Sequence, residues 1–406
     1  MKQIIFLAAL LLATLTNVWA QNDSLPNVDT LRATETVMPM QFGFIHPLGT
    51  NGLNSTKVYN TVSINAISGH SKGTLGTEIS GVYSITKAHA VGFKASGVMD
   101  LVHGSVLGTQ VGGVMASAGG ASKGFQAGGV VALNGGSFEG LQAGGVFAGN
   151  NGSVDGFQAG GVVAIIGGDS VEGMQAGGVV AISNGNIEGM QAAGVVSLCK
   201  GDVEGVQIAG VVSQARFVKG AQIGIINIAD SMDDKSVQLG LVNISRKGGI
   251  MRFGVMTTEF YNATAFLKSG TRHFHGYVGM ATQLHEKDYR YGPMIGIGTS
   301  IRLANRVYIE PEWMQWFVIH KNNLVYKNRS TQIQQLRTMF SFSTGKKGPH
   351  ISAGPTINLS YTSYKNNNGE IGVDFSPSYF YNKTFTRSQV NVRAWFGYNV
   401  TVSLGK

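Results

Sequence analysis

Apolar and polar positions along this chain fall into short blocks that recur. The clearest read GFQAGGVVA (124–132), GLQAGGVFA (140–148), GFQAGGVVA (156–164) and GMQAGGVVA (173–181). A polar row marks the register: Gln110, Gln126, Gln142, Gln158, Gln175, Gln191, Gln207, Gln222 and Gln238, spaced by sixteen residues with a variation of one. Glu78 and Lys94 continue the row backwards, with Gly81 and Gly97 three residues on and Val82 and Val98 four on, which makes eleven copies. Turn-forming pieces such as Asn134-Gly135-Gly136 and Asn150-Asn151-Gly152 separate them.

Each copy predicts one strand and one tight turn, because the glycine density and the lack of a 3.6-residue period exclude a helix. Side chains alternate between the faces of a strand. Gln126, Gly128, Val130 and Ala132 then share one face, and Phe125, Ala127, Gly129, Val131 and Leu133 the other. The second face is apolar in nearly every copy. Acids keep to the turn edge, at Glu139, Asp155, Glu172, Glu188 and Glu204.

Two all-β architectures accommodate this pattern. An antiparallel meander closed into an outer-membrane-type β-barrel would turn the apolar face to lipid and the glutamine row to a lumen. A β-solenoid of sixteen-residue coils, followed by a C-terminal barrel or sandwich, would stack the glutamines as a ladder. The single-coil period favours the solenoid. The shortage of charge on both faces favours the barrel, which is the expectation adopted here. Glu78 and Lys94 in the glutamine position imply that this position does not face lipid.

Beyond Gln238 the repeat loosens. Strand patterns continue at 252–266, 273–284, 291–303, 306–318, 335–344, 349–362 and 388–404, with polar turns at His285–Arg290, Lys321–Ser330 and Lys365–Glu370. Met40–Phe44 and Val62–Ile67 are strand-like ahead of the repeat. Tyr277, Tyr291, Trp313, Trp316, Phe317, Tyr361, Tyr379, Tyr381, Trp395 and Tyr398 gather near strand ends, as interfacial aromatic girdles do.

The amino terminus adds a destination. Lys2, the apolar run Ile4–Leu15 and Val18-Trp19-Ala20 have the layout of a cleaved secretory signal, too short to span a membrane comfortably. The expected organisation is a signal peptide over 1–20, a polar leader over 21–36, the repeat region over 37–250, and a C-terminal strand region over 251–406 within the same barrel. Cys199 is the only cysteine, so no internal disulfide forms. Residues 120–240 carry five Lys/Arg against ten Asp/Glu, whereas 241–406 carry twenty against seven. In an exported protein, the basic end points to outer-membrane lipid or lipopolysaccharide phosphate, and not to nucleic acid.

The order PLGTNG (47–52), the GxQxxG copies, GxxNIAD (224–230) and GLVNIS (240–245) resembles a family of short-repeat surface proteins of Bacteroides-like bacteria and spirochaetes. GPTINLSY (354–361) and WFGYNVTVSL (395–404) look like the closing strands of that family's barrel-like end. Lys406 departs from the terminal aromatic common in outer-membrane barrels. The resemblance implies a cell-surface or outer-membrane location and a fold, not an activity.

Little in the sequence points to catalysis, and no cofactor is expected. The glycine runs lack the Gly-Lys-Ser/Thr of a phosphate loop. His273 and His275 flank Phe274 on one expected strand face, a conceivable metal pair without further ligands. Glu310 and Glu312 also share a face and read as lumen-facing charges. Cys199 replaces an apolar residue near a turn and reads as inert. Asp23-Ser24-Leu25, Asp29-Thr30-Leu31 and Asp169-Ser170-Val171 match short glycosylation tripeptides. The expected function is a non-enzymatic outer-membrane protein, structural or narrow-pore. A surface-associated solenoid that binds a glycan or protein partner is the alternative.

Overall fold

The computed structural model describes residues 25–233, 235–283, 290–320, 331–345, 348–364 and 371–405. The signal segment, Lys406 and most of the three polar turns named above lie outside these residues. The chain divides into two compact units, before and after the Arg216–Phe217 boundary.

The first unit opens with a short helix, Val28–Thr34, capped by the Asn27 side chain, which accepts from the backbone N–H groups of Asp29 and Thr30. Strand Val37–Ile45 follows and pairs in parallel with Tyr59–Asn65. From there the repeat forms a β-solenoid. Each copy supplies a long strand such as Ser122–Gly128 and a short one such as Val131–Asn134. Long strands pair only with long strands and short with short, all parallel and in register, with Gln126 opposite both Gln110 and Gln142. The antiparallel meander expected for the repeat is therefore incorrect, and the coil period sets the architecture. Identical copies stack by translation, and each strand pairs with its own equivalents on either side.

The face assignment needs one correction, at Val130. Burial follows Ser122, Gln126, Gly128, Ala132 and Asn134, whereas Phe125 and Val130 are exposed and Ala127, Val131 and Leu133 are partly so. The glutamine face points inward and the apolar face outward. Two bends break the strict alternation. At Gly129-Val130 the chain turns a corner, and Val130 leaves the face it was expected to share with Gln126. At Gly124, Gly140 and Gly156 the backbone adopts φ of +124°, +126° and +125°, conformations that favour glycine. The long strand bends there, so each coil has three sides. Its inward positions hold the glutamine row with glycine, alanine, serine and asparagine, and one apolar side chain per coil at Phe138, Val154, Val171, Ile187 and Val203.

In the second unit the coil pattern recurs, with Gln222 opposite Gln238 and Asn227 opposite Asn243. A separate, antiparallel sheet follows. Strands Ile250–Thr258, Ala263–Gly270, His275–Gln283, Arg290–Gly298, Val307–His320, Thr331–Ser343, His350–Thr362 and Val390–Gly405 pair in sequence, and the last returns to the first, with Val255 opposite Val402. This is a closed eight-stranded barrel. Tyr381–Phe385 adds a strand against Val390–Gly405, and Ile301–Ala304 one against Val307–His320. The strand expected over 252–266 is broken by a turn at 259–262. The one expected over 291–303 breaks after Gly298. The last coil meets the barrel end through Ser269, whose Oγ accepts from the Asn243 backbone N–H at 3.0 Å, and Thr271, whose Oγ1 donates to the Ser236 carbonyl at 3.3 Å.

Candidate functional site

Inside the first unit's coils the polar row is a continuous amide ladder. Gln126 donates from Nε2 to Oε1 of Gln110 at 2.9 Å, Gln142 to Gln126 at 2.8 Å and Gln158 to Gln142 at 2.8 Å. Gln175, Gln191 and Gln207 continue it at 3.1, 2.8 and 2.9 Å. Each amide spends its second N–H on a carbonyl of the same coil seven residues on: Gln142 on Gly149, Gln158 on Ile165 and Gln191 on Leu198. All these glutamines are buried. Every donor points towards the preceding coil, so the stack is polarised. In the second unit Gln238 donates to Gln222 at 2.7 Å, and its own Oε1 has no partner among the described residues.

The row begins with ions in place of amides. Lys94 Nζ lies 2.8 Å from Glu78 and 3.8 Å from Asp100, and all three are buried. Thr74 and Ser84 donate to Glu78, Ser84 and Thr86 accept from Lys94, and Ser96 and Gln110 donate to Asp100. Asp100 therefore sits at the donor end of the amide stack, where negative charge is favoured. Burial raises the Glu78 carboxyl, but the Lys94 charge and three hydrogen bonds outweigh it and hold Glu78 below the usual range. Burial lowers Lys94, yet the two carboxylates hold it above the usual lysine value. Asp100 stays above its usual value, because burial outweighs its share of Lys94. Sequence reading placed Glu78 and Lys94 inside but missed Asp100, which belongs to another row.

The outward sides are as informative. Glu139, Asp155, Glu172, Glu188 and Glu204 stand in register on one exposed row, within strands and not at turns. Lys123 precedes them and pairs with Glu139 at 2.6 Å. The other two sides carry Phe125, Leu141, Phe157 and Met174; the alanines 127, 143, 159 and 176; and a corner ridge of Val130, Val146, Val162, Val179 and Val195. The ridge valines are 39–45% exposed. A shallow groove runs along the alanine row, floored by Gly128, Gly144, Gly160 and Gly177.

The barrel has the reverse polarity of a soluble protein. Phe253, Val255, Leu336, Phe340, Ile357, Val400, Val402 and Leu404 are exposed on its outside, while Lys268, Glu310, Glu312, Arg337, Gln335, Asn358 and Asn399 are buried within. Lys268 pairs with Glu310 at 2.8 Å and lies 3.4 Å from Glu312; Arg337 Nε donates to Glu312 at 2.6 Å, as does Tyr277 Oη. His275 lies 3.1 Å from Glu312. Next to this layer, the turn at 259–262 folds inward: Phe260 meets Trp316 and Trp395 edge-on, and Glu259 accepts from Trp395 Nε1 at 2.8 Å. Met256, Tyr277, Met294, Met314, Trp316, Ile333, Phe375 and Trp395 form one buried cluster with Phe260.

Glu310 and Glu312 thus point inward as expected. His273 and His275 do not share a face, since His273 is exposed in a turn and His275 is buried. The expected aromatic girdle divides. Phe317, Tyr361, Tyr381 and Tyr398 are exposed, whereas Tyr277, Trp316 and Trp395 are packed inside. Asp169-Ser170 lies at a coil corner. Cys199 is buried, donates to the Gly185 carbonyl at 3.2 Å, and burial pushes its thiol up to about 11.

No family model, curated protein or solved structure matches this chain.

Proposed function

We propose that the chain is a non-enzymatic protein of a Gram-negative outer membrane, in which the barrel is the membrane anchor and the solenoid the presented part. The barrel's inverted polarity carries this reading. Its sheet is closed, so no strand edge would be left unpaired in lipid, and its outer surface is apolar where its interior is charged. The interior packing favours a structural anchor over a pore.

The barrel ends differ. Ile250 and Gly405 lie at one end, together with the short turn at 271–274. The connections from His320 to Thr331 and Thr362 to Tyr381 belong to the other end and are longer. Transmembrane barrels keep short turns on the periplasmic side. On that rule the chain enters the barrel from the periplasm. Exposed Arg272, Arg302 and Arg306 would then meet phospholipid headgroups, and Lys383 and Arg387 lipopolysaccharide phosphate.

A glycan-binding solenoid is less well supported, because from the coil of Phe125 to that of Val195 two of its three outer sides offer no polar side chains to sugar hydroxyls. Outer-membrane fractionation with gel mobility tests the proposal. A band that shifts on boiling and resists carbonate supports it; complete release by carbonate overturns it.

A further inference from the structure

From the coil of Phe125 to that of Val195, the two sides that meet at the valine ridge carry no charged or hydrogen-bonding side chain. Their outward positions hold valine, alanine, phenylalanine, leucine, isoleucine, methionine and glycine. The backbone behind them is paired in the parallel ladders. At ~4.8 Å per coil and ~3.3 Å per residue, these sides expose roughly 700 Å², beyond the ~300–600 Å² of the largest patch on a typical soluble monomer.

Two properties decide what covers this surface. A protein partner over such an area would bring about one hydrogen bond per 100–200 Å², and these sides supply no side-chain group to make one. The surface is also convex, since two apolar sides meet at the Val130–Val195 ridge. A flat face of a second copy could cover one side but not wrap both. Fluid acyl chains can. The charge is partitioned to match, with Glu139, Asp155, Glu172 and Glu188 confined to the third side. That is the section of an interfacial amphipathic helix, built from β-coils.

We propose that the solenoid lies on a membrane surface with its valine ridge among lipid acyl chains and its acidic row towards water. The groove along Ala127, Ala143, Ala159 and Ala176 offers an extended chain a dry track parallel to the stack. The proposal does not depend on the barrel spanning the bilayer.

The test uses the full chain in vesicles of phosphatidylethanolamine and phosphatidylglycerol. In a Cys199→Ser background, single cysteines replace Val146, Val162, Asp155 and, on the barrel, Val400, and each carries a polarity-sensitive fluorophore. Nitroxide-bearing acyl chains should abolish most of the emission at Val146→Cys and Val162→Cys, while aqueous iodide should quench only Asp155→Cys. Iodide quenching at Val146→Cys and Val162→Cys without lipid quenching overturns the proposal. So does disulfide pairing of Val146→Cys between copies, which would assign the ridge to a second chain. Val400→Cys reports on the barrel alone, so the two proposals fail separately. The urea midpoint of the solenoid verifies that each variant is folded.

Discussion

The side-chain amide of Gln158 donates to Oε1 of Gln142 at 2.8 Å and to the Ile165 carbonyl at 3.1 Å, while its own Oε1 accepts from Gln175 at 3.1 Å. One residue thus ties three coils together and satisfies a buried carbonyl. Replacing it by leucine keeps the volume but strands the Gln175 donor and the Ile165 acceptor. Each unsatisfied buried group costs about 1–3 kcal/mol. Gln158→Leu should lower the solenoid's urea midpoint clearly, whereas Lys123→Ala, at an exposed pair, should barely move it.

The buried triad gives a sharper contrast. Lys94→Ala leaves Glu78 and Asp100 without a counter-charge and should destabilise by about 3–5 kcal/mol. The triple change Glu78→Gln, Lys94→Gln, Asp100→Ala installs the residues that later coils carry, and should be neutral or stabilising. Chemical denaturation of the three proteins checks both outcomes.

The same triad fixes a pH window. Glu78 is depressed when folded, so its contribution is present above the ordinary 4.5 and is lost as pH falls through the lower folded value. Lys94 is raised, so its contribution is complete below 10.5 and is lost as pH climbs through the higher folded value. Asp100, raised from 3.8, opposes Glu78. Above pH 10.5 the parent should lose stability that the triple variant keeps. Parallel curves would refute this.

Gly156 holds φ near +125°, and a Cβ there would run into the Gly140 carbonyl of the coil below. Gly156→Ala should therefore be destabilising, where the same change gains ~1 kcal/mol in an ordinary strand, read as a loss of thermal stability. Gly52, with φ +53° and open space around it, should be more tolerant of alanine.

Cys199 should resist iodoacetamide at pH 8 in the folded protein and react rapidly in urea, because its buried thiol ionises only at about 11. Fast labelling of the native chain would contradict that burial.

Inside the barrel, Glu312 faces Lys268, Arg337, His275 and Tyr277 at once. Glu312→Ala should lower the temperature at which the compact gel form is lost, by an amount matching about 3–5 kcal/mol. Planar-bilayer recordings of the parent should show no steady conductance.

Much was legible in the residues themselves. The sixteen-residue period, the polar row, the strand character and the inward Glu310 and Glu312 follow from spacing and alternation, which are local. The alternation of a strand separates two faces but does not say where the alternation breaks. That was decided when Gly140 and its equivalents bent each strand and closed the coil, which left Val130 outside and Phe138, Val154 and Val171 inside. The same closure carried Asp100 to Lys94 from another row, and the barrel's folding brought Phe260 to Trp316 and Trp395 across long stretches of chain. The sequence by itself determined a repeat with two unlike faces. Only the tertiary structure decided that the copies stack as parallel coils and not as a meander, because that depends on which strands pair and not on any single residue.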